Sequence, residues 1–118
     1  MNTRKTGTEF EDMAANYITE HGYKILERNY NSRFGEIDII ARKASVLIFF
    51  EVKYRSSINF GEPAEAVDIR KQRKICHTAL VYCAYHGYQE NTPCRFDVIA
   101  IYPDNSVRHI KNAFDYVQ

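Results

Sequence analysis

The amino-acid sequence predicts an α/β fold in which a mixed β-sheet lies between two helices, in the order αβββαββ. Two stretches repeat apolar residues with the period of a helix, and five stretches are short and rich in β-branched and aromatic residues. The 118 residues include 45% hydrophobic and 26% charged side chains, as in an ordinary globular protein. We therefore expect one three-layer domain over residues 1–118.

The first helix is predicted over about residues 9–21. Apolar side chains recur there with the spacing of an amphipathic helix that buries one face: Phe10, Met13, Ala14, Tyr17 and Ile18. Thr8 and Glu11 have the spacing of a capping box, which favours a helix start at this point. Gly22 can adopt the left-handed conformation that commonly ends a helix.

Three β-rich stretches follow, over residues 23–29, 36–42 and 46–55. Their connections are short, so we expect neighbouring antiparallel strands. A second helix is predicted over residues 68–86, with an apolar side that consists of Ile75, Ala79, Leu80 and Cys83. Strands over residues 95–102 and 107–111 complete the sheet.

Charge and cysteine content limit the possible classes of function. The net charge of +1 excludes a strongly basic protein, so a nucleic-acid interface has to be local. The N-terminus has no apolar segment, and no run approaches the roughly 18 apolar residues of a membrane span, so we expect a cytosolic protein. Cys76 and Cys83 lie about two helical turns apart, too far for a disulfide, and the three cysteines are interpreted as packed thiols.

The third predicted strand changes character along one face. Its even-numbered positions from Val46 to Val52 are apolar. Its odd-numbered face begins apolar and ends charged, in the order Leu47, Phe49, Glu51, Lys53 and Arg55. This change predicts that Glu51 and Lys53 lie at the mouth of a cleft. The alternative is that the strand simply leaves the core there, because Glu-x-Lys is a common tripeptide.

Asp38 is an acid among the isoleucines of the preceding strand. Aspartate is disfavoured in strand interiors, and a buried carboxylate needs a partner or a metal. If the turn after this strand makes a hairpin, Asp38 and Glu51 approach on one face. The alternative is a salt bridge from Asp38 to Lys53 or Arg55.

Two carboxylates and a lysine in this arrangement have a known chemical use. Carboxylate oxygens suit Mg²⁺ or Mn²⁺, which can also hold a phosphate oxygen. Such an ion polarises a scissile phosphate, and Lys53 would position water or stabilise developing charge. The pattern therefore predicts hydrolysis of a phosphodiester.

Several spaced motifs together resemble the YraN family of uncharacterised bacterial proteins. They are Gly7-Thr8-Glu9, Asn29-Tyr30, Gly35-Glu36-Ile37-Asp38, Phe50-Glu51-Val52-Lys53 with Arg55, the Lys71–Lys74 helix, and Arg95-Phe96-Asp97-Val98. The resemblance covers nearly the whole chain. That family is similar to the restriction-endonuclease-like superfamily, and most of all to archaeal Holliday-junction resolvases.

The resemblance implies a restriction-endonuclease-like three-layer fold and a metal-dependent nuclease site. Asp38 and Glu51 would be metal ligands, with the backbone carbonyl of Val52 as a further ligand and Lys53 as the catalytic lysine. Glu9 would complete the site, although an acid in the first helical turn is also favoured by the helix dipole alone. Gln72 corresponds only weakly to a helical glutamine of some relatives, because Cys76 replaces the tyrosine expected four residues later.

Basic residues of the second helix are the expected contacts to nucleic-acid phosphates, namely Arg70, Lys71, Arg73 and Lys74. The alternative is a solvated helix face. Arg33 and Arg55 are expected beside the acids as further phosphate contacts. Tyr30, Phe34 and Tyr54 are candidates for stacking on unpaired bases, with core packing as the alternative.

The sequence thus favours an endonuclease with Mg²⁺ or Mn²⁺ as cofactor, acting on DNA that is branched or otherwise structured. A two-fold symmetric substrate would favour a homodimer. Two alternatives stay open: a non-catalytic nucleic-acid-binding or scaffolding module that retains the fold, and a nuclease that processes RNA. The histidines show no convincing spacing for a zinc site.

Overall fold

The computed structural model describes residues 6–55 and 67–117, which form a five-stranded sheet with one helix on each face. The elements are α1 (Gly7–Glu20), β1 (Lys24–Ser32), β2 (Gly35–Lys43), β3 (Val46–Tyr54), α2 (Ile69–Tyr85), β4 (Cys94–Ile101) and β5 (Val107–Phe114). The predicted α/β class and the order αβββαββ are confirmed. This is the three-layer arrangement that the resemblance implied.

The sheet is mixed, as predicted, and its strands lie side by side in chain order. β1, β2 and β3 form an antiparallel meander, and β5 is antiparallel to β4. β3 and β4 are parallel, in a register that runs from Leu47–Cys94 to Tyr54–Ile101. Parallel neighbours need a crossover connection, and α2 belongs to it.

Two apolar cores separate the layers, because successive residues of a strand point to opposite faces. On β3, Ile48 and Phe50 pack towards α1, whereas Leu47 and Phe49 pack towards α2. The α1 core also contains Ala14, Ala15, Ile18, Tyr23, Ile39, Ala41, Ile99 and Ile101. The predicted alternation along β3 therefore positions Glu51 and Lys53 on the side of the sheet that carries α2.

α1 begins earlier than predicted, and the residues that cap it differ. Thr6 is the N-cap: its hydroxyl accepts from the Glu9 N–H at 3.2 Å, and the Glu9 carboxylate accepts from the Thr6 N–H at 2.8 Å. The predicted box of Thr8 and Glu11 is therefore wrong. The same spacing occurs twice in the sequence, and the earlier pair extends the helix by two residues. Glu11 is thereby available for contacts with the sheet.

The buried side of α2 is also shifted from the predicted one. Its buried residues are Ile75, Cys76, Thr78, Ala79 and Tyr82. Leu80, which was assigned to the apolar side, is 51% exposed. The tertiary packing selected the stripe that contains Tyr82, whose ring contacts Tyr30 and Phe49. Within the described ranges, no helix has the length and apolar character needed to cross a membrane.

Candidate functional site

The candidate site lies where β2 and β3 separate. Within the described ranges, their pairing runs from Lys43–Val46 to Ile39–Phe50, although both strands continue beyond the last pair. Asp38 is the first residue past that pair, and its Oδ2 accepts a hydrogen bond from the Val52 N–H at 2.7 Å. The Asp38 carboxylate therefore takes the place of a backbone acceptor in the gap between the strands.

Glu51 brings a second carboxylate to the same gap. It is buried, with 5% of its surface exposed, at the point where the odd-numbered face of β3 changes from apolar to charged. Its Oε2 lies 3.5 Å from the Nζ of Lys71, in the first turns of α2. The cation paired with the buried Glu51 is thus supplied by the helix and not by its own strand.

The two carboxyl groups are close enough to share a proton. Burial is the main reason that the pKa of Asp38 is raised to about 7, and hydrogen bonding to and repulsion from Glu51 raise it further. The Val52 N–H and the Lys71 charge act in the opposite direction. At neutral pH, Asp38 is therefore poised between its neutral and charged forms, which is typical of functional carboxylates.

Glu11 on α1 is a further acid that interacts electrostatically with Asp38, and the sequence motifs do not assign it to the site. Burial, followed by repulsion from Asp38 and Glu36, raises the pKa of Glu11, whereas a hydrogen bond with Asn29 lowers it. The spacing of Glu11 indicates that it lies on the buried side of the helix, because it precedes the buried residues Ala14, Ala15 and Ile18 by three, four and seven positions. The prediction of a capping box with Thr8 gave Glu11 a different role.

Glu9, the acid predicted to complete the site, is exposed and bonded to the Thr6 N–H. The structure therefore gives Glu9 a capping role at the helix terminus. Glu11 is the acid of α1 whose pKa is raised by repulsion from Asp38. A residue in the first turn satisfies free backbone N–H groups most directly, whereas a residue two positions later points to another side of the helix.

Lys53 lies half-buried on β3, two residues after Glu51. The pKa of Asp68 is lowered mainly by its hydrogen bond from the Lys71 N–H, and the charges of Arg70 and Lys53 add to this effect. Lys53 is thus near the start of α2. Among the described residues, a backbone N–H rather than Lys53 or Arg55 holds the Asp38 carboxylate. Lys71 therefore contacts the acids, whereas Lys53 lies two residues further along β3, near the start of α2.

The start of α2 is fixed by polar side chains. Asp68 is the N-cap and accepts from the Lys71 N–H at 2.9 Å. The side-chain amide of Gln72 donates to the Val67 carbonyl at 2.9 Å, which gives Gln72 a structural contact. The remaining basic residues, Arg70, Arg73 and Lys74, are exposed. Of the four phosphate contacts predicted on α2, Lys71 is thus the one directed towards the acids.

Arg33 lies in the turn between β1 and β2, and its guanidinium is 4.9 Å from the centroid of the Phe34 ring. The turn forms one side of an open cavity of about 660 Å³, and the C-terminal half of α2 forms the other with Val81, Tyr85 and His86. The structure thus places Arg33 towards the far end of α2 from Lys71. Arg55 is half-buried, and its N–H donates to the Ile101 carbonyl at 2.8 Å.

The three candidate stacking residues differ in how much of each ring is free. Tyr30 packs edge-on against Tyr82, with ring centroids 5.2 Å apart. Tyr54 stacks on Phe10 of α1 at 4.4 Å. Phe34 is 36% exposed and touches His77 edge-on at 5.2 Å. Tyr54 is the most exposed of the three, at 49%, and Phe34 lies on the rim of the cavity beside α2.

The acidic centre partly fits the donor set that a divalent metal requires. Asp38 and Glu51 provide adjacent carboxylates of the kind that Mg²⁺ and Mn²⁺ prefer. In residues 6–55 and 67–117, no group of three or more His, Cys, Asp or Glu side chains is arranged to hold a metal ion. Such ions commonly take only one or two protein carboxylates, together with water and substrate phosphates. The residues present are therefore sufficient for that mode of binding.

Comparison with known proteins gives consistent matches over nearly the whole chain. Residues 10–101 match the model of a family described as "Uncharacterised protein family UPF0102". A UPF0102 protein of Lachnoclostridium phytofermentans is 50% identical over 115 residues, which cover 98% of this chain and 97% of the relative. One of Clostridioides difficile is 46% identical, with coverage of 97% and 100%. One of Fusobacterium nucleatum is 47% identical, with coverage of 95% and 92%.

Proposed function

This chain belongs to the UPF0102 family, and we propose that it is a metal-dependent endonuclease acting on DNA. The description of the family names no activity, so the function has to be argued from the residues of this chain. The observation that carries the proposal is the convergence of Asp38 and Glu51 where β2 and β3 separate. A fold without a function for these acids would gain little from placing two carboxylates together, since their repulsion costs stability.

The proposed roles follow from what each side chain contacts. Asp38 and Glu51, with the Val52 carbonyl as a further ligand, would hold Mg²⁺ or Mn²⁺, which supplies polarisation of the scissile phosphate and activation of water. Lys53 orients the attacking water or stabilises the charge that develops on the phosphate. Glu11 adds negative charge from the α1 side. Lys71 neutralises Glu51 before the cation binds.

The proposed DNA-binding surface combines exposed charge with exposed rings. Arg70, Arg73 and Lys74 present positive charge along α2, near the acidic centre. The cavity beside the far half of α2 offers Arg33, Phe34 and the 84% exposed ring of Tyr85. Aromatic rings with nearby cations bind unpaired bases without reading their sequence. We therefore propose branched or partly single-stranded DNA as the substrate, a cytosolic location, and a homodimer for two-fold symmetric junctions.

Cleavage assays on defined substrates test the proposal. The protein is incubated with flap, junction and single-stranded DNA in the presence of Mn²⁺ or Mg²⁺, beside the variants Asp38→Ala and Glu51→Gln. Loss of a metal ligand should reduce the cleavage rate by at least about 100-fold, because a charged ligand that organises the reaction contributes several kcal/mol. Glu20→Gln, which changes an exposed acid at the far end of α1, serves as the matched control and should cleave as the wild type does.

Equal cleavage by the wild type and Asp38→Ala would show that a contaminating nuclease is responsible, and it would contradict the proposal. Parallel assays with RNA of the same shape distinguish the RNA-processing alternative, because the same acids would serve it. Preference for the RNA substrate, with the same dependence on Asp38 and Glu51, would change the assigned substrate but not the assigned centre.

A second candidate function is a nucleic-acid-binding or scaffolding module without catalysis. The ion pair of Lys71 with Glu51 favours it, because a stable cation substitute at the acids would reduce the need for a metal. DNA binding that depends on Arg70, Arg73 and Lys74, is unchanged by Mn²⁺ and is not followed by cleavage would support this module. Metal-dependent cleavage would exclude it.

A further inference from the structure

All three cysteines line one cavity, on the opposite flank of α2 from the turn that carries Arg33. The cavity has a volume of about 340 Å³ and a largely aromatic floor formed by Phe49, Phe96 and Phe114. Cys76 is buried, Cys83 is half-buried and Cys94 is exposed. The accessible thiol therefore lies at the mouth of the cavity, and the other two lie further inside.

Cys83 and Cys94 line the same cavity, from α2 and from β4, and each thiol shifts the pKa of the other. The Cys94 thiol also donates to the Thr92 carbonyl at 3.4 Å. Cys94 is the first residue of β4, where it pairs with Leu47, and the Leu47 N–H donates to the Pro93 carbonyl at 2.9 Å, so the sheet holds this backbone in place. A disulfide has a bond length of about 2 Å, so rotation of the two side chains has to bring the sulfurs to that distance.

Cys76 has a different partner. Its sulfur accepts a hydrogen bond from the Val117 N–H at 3.3 Å, and the residue is 0% exposed. Cys76 also lies two helical turns before Cys83 on the same helix, which excludes a bond between those two. The geometry therefore selects one pair from the three cysteines.

We propose that Cys83 and Cys94 are a reactive dithiol that hydrogen peroxide converts into an intramolecular disulfide. The bond would join the C-terminal half of α2 to the first residue of β4 and close a short loop over residues 84–93. This modification site is independent of the proposed nuclease activity, because it lies away from Asp38 and Glu51 and none of its sulfur atoms contacts them.

The reaction is a two-electron oxidation that consumes one peroxide. The Cys94 thiolate attacks one peroxide oxygen, the O–O bond breaks, and the departing hydroxide takes a proton to become water. The sulfur of Cys83 then attacks the sulfenic sulfur of Cys94, and the second hydroxide leaves with the Cys83 proton as water. The two thiols are oxidised and the peroxide is reduced.

The environment makes Cys94 the attacking group. The hydrogen bond from Cys83 lowers the pKa of Cys94 to about 7, against the opposing effect of burial. The pKa of Cys83 is raised by the same contact and by burial. Cys94 thus has both the accessibility and the thiolate character that the first step requires.

Peptide mapping of the full chain tests the proposal. The protein is treated with hydrogen peroxide, its remaining thiols are blocked, and it is digested with a protease that cleaves after glutamate. Cleavage after Glu65 and Glu90 separates the segment with Cys76 and Cys83 from the segment with Cys94. We expect these two peptides to remain joined, with the loss of two hydrogen atoms, until a reductant is added.

Cysteine variants identify the bonded pair. Cys76→Ser should retain the joined peptides, whereas Cys83→Ser and Cys94→Ser should lose them. A joined pair that persists in Cys83→Ser would identify Cys76 as the partner and overturn the assignment. Only unlinked peptides, or only disulfide-bonded dimers of the chain, in oxidised wild-type protein would also overturn the proposal.

Discussion

Asp38 is the residue at which the chemistry of the chain is concentrated. Its carboxyl group replaces a missing strand contact through the Val52 N–H, and its pKa is raised to about 7 by burial and by Glu51. An acid with this pKa can exchange a proton for a cation within the physiological range. The stability of the fold and the binding of a metal should therefore both depend on pH through the Asp38 carboxyl group.

The first prediction concerns stability. Because the pKa of Asp38 is higher in the folded than in the unfolded state, its contribution is fully present below about pH 4 and is lost as the pH rises through about 7. Asp38→Asn retains an acceptor for the Val52 N–H without the charge. We expect it to gain about 2 kcal/mol relative to the wild type between pH 5 and pH 8, measured by urea unfolding.

Glu20→Gln provides the comparison, since it removes an exposed carboxylate. Its difference from the wild type should be nearly constant over the same pH range. A constant difference for Asp38→Asn as well would show that the acid pair does not repel in the folded protein.

The second prediction concerns metal binding, and it rests on the proposed function. A divalent cation has to displace the proton from Asp38, so the affinity for Mn²⁺ should rise by up to about tenfold per pH unit below pH 7 and level off above it. Calorimetry in buffers with different ionisation enthalpies measures the protons released. Binding that is independent of pH and releases no proton would separate Asp38 from the metal.

At the scale of elements, the start of α2 determines the charge balance of the acidic centre. Asp68 caps the helix and holds the Lys71 backbone, and the Lys71 ammonium reaches Glu51. The sequence predicts Lys53 as the lysine of the site, because it follows Glu51 on the same strand face. The contact from α2 was not predictable from strand alternation, since it depends on how the helix lies on the sheet.

The third prediction tests whether Lys71 competes with a cation. Lys71→Met removes the positive charge beside Glu51, so at pH 8 the affinity for Mn²⁺ should increase roughly 3- to 10-fold, the effect of about 1 kcal/mol at a partly exposed pair. Lys24→Met removes an exposed lysine at the start of β1 and is the matched control. Weaker Mn²⁺ binding by Lys71→Met would instead assign Lys71 a supporting role in holding the acids.

At the scale of the whole molecule, one buried carboxylate links strands at the β4–β5 side of the sheet. Asp97 is 0% exposed and accepts hydrogen bonds from the Arg95 side chain, the His109 ring and the Asn112 N–H, at 2.7 to 2.9 Å. Arg95 also donates to the Tyr23 hydroxyl at 3.0 Å. Asp97 therefore connects β4 to β5 and to the start of β1, and its role is structural.

The fourth prediction follows from this network. Burial acts to raise the pKa of Asp97, but the bonds from His109, Arg95 and the Asn112 N–H outweigh it, and the pKa is lowered. Its stabilising contribution is thus present above about pH 4 and is lost as the pH falls through the folded pKa. Asp97→Ala leaves the buried partners unpaired and should cost about 3 kcal/mol or more in urea unfolding at pH 7.

Lys111→Ala is the comparison for this substitution, since it shortens an exposed basic side chain on the same strand as His109. It should cost less than about 1 kcal/mol. A similarly small cost for Asp97→Ala would show that the network contributes little to the fold.

The amino-acid sequence by itself determined the elements, their order and the pairing of Asp38 with Glu51, because hydrophobic periodicity fixes which residues face a core and short turns make strands neighbours. Tertiary structure alone decided that Glu9 caps α1 while Glu11 interacts electrostatically with Asp38, and that Lys71 is the cation beside Glu51. These contacts join residues from different layers. They depend on the rotation of each helix about its axis and on where β2 and β3 separate, and both are set by packing that no local pattern encodes.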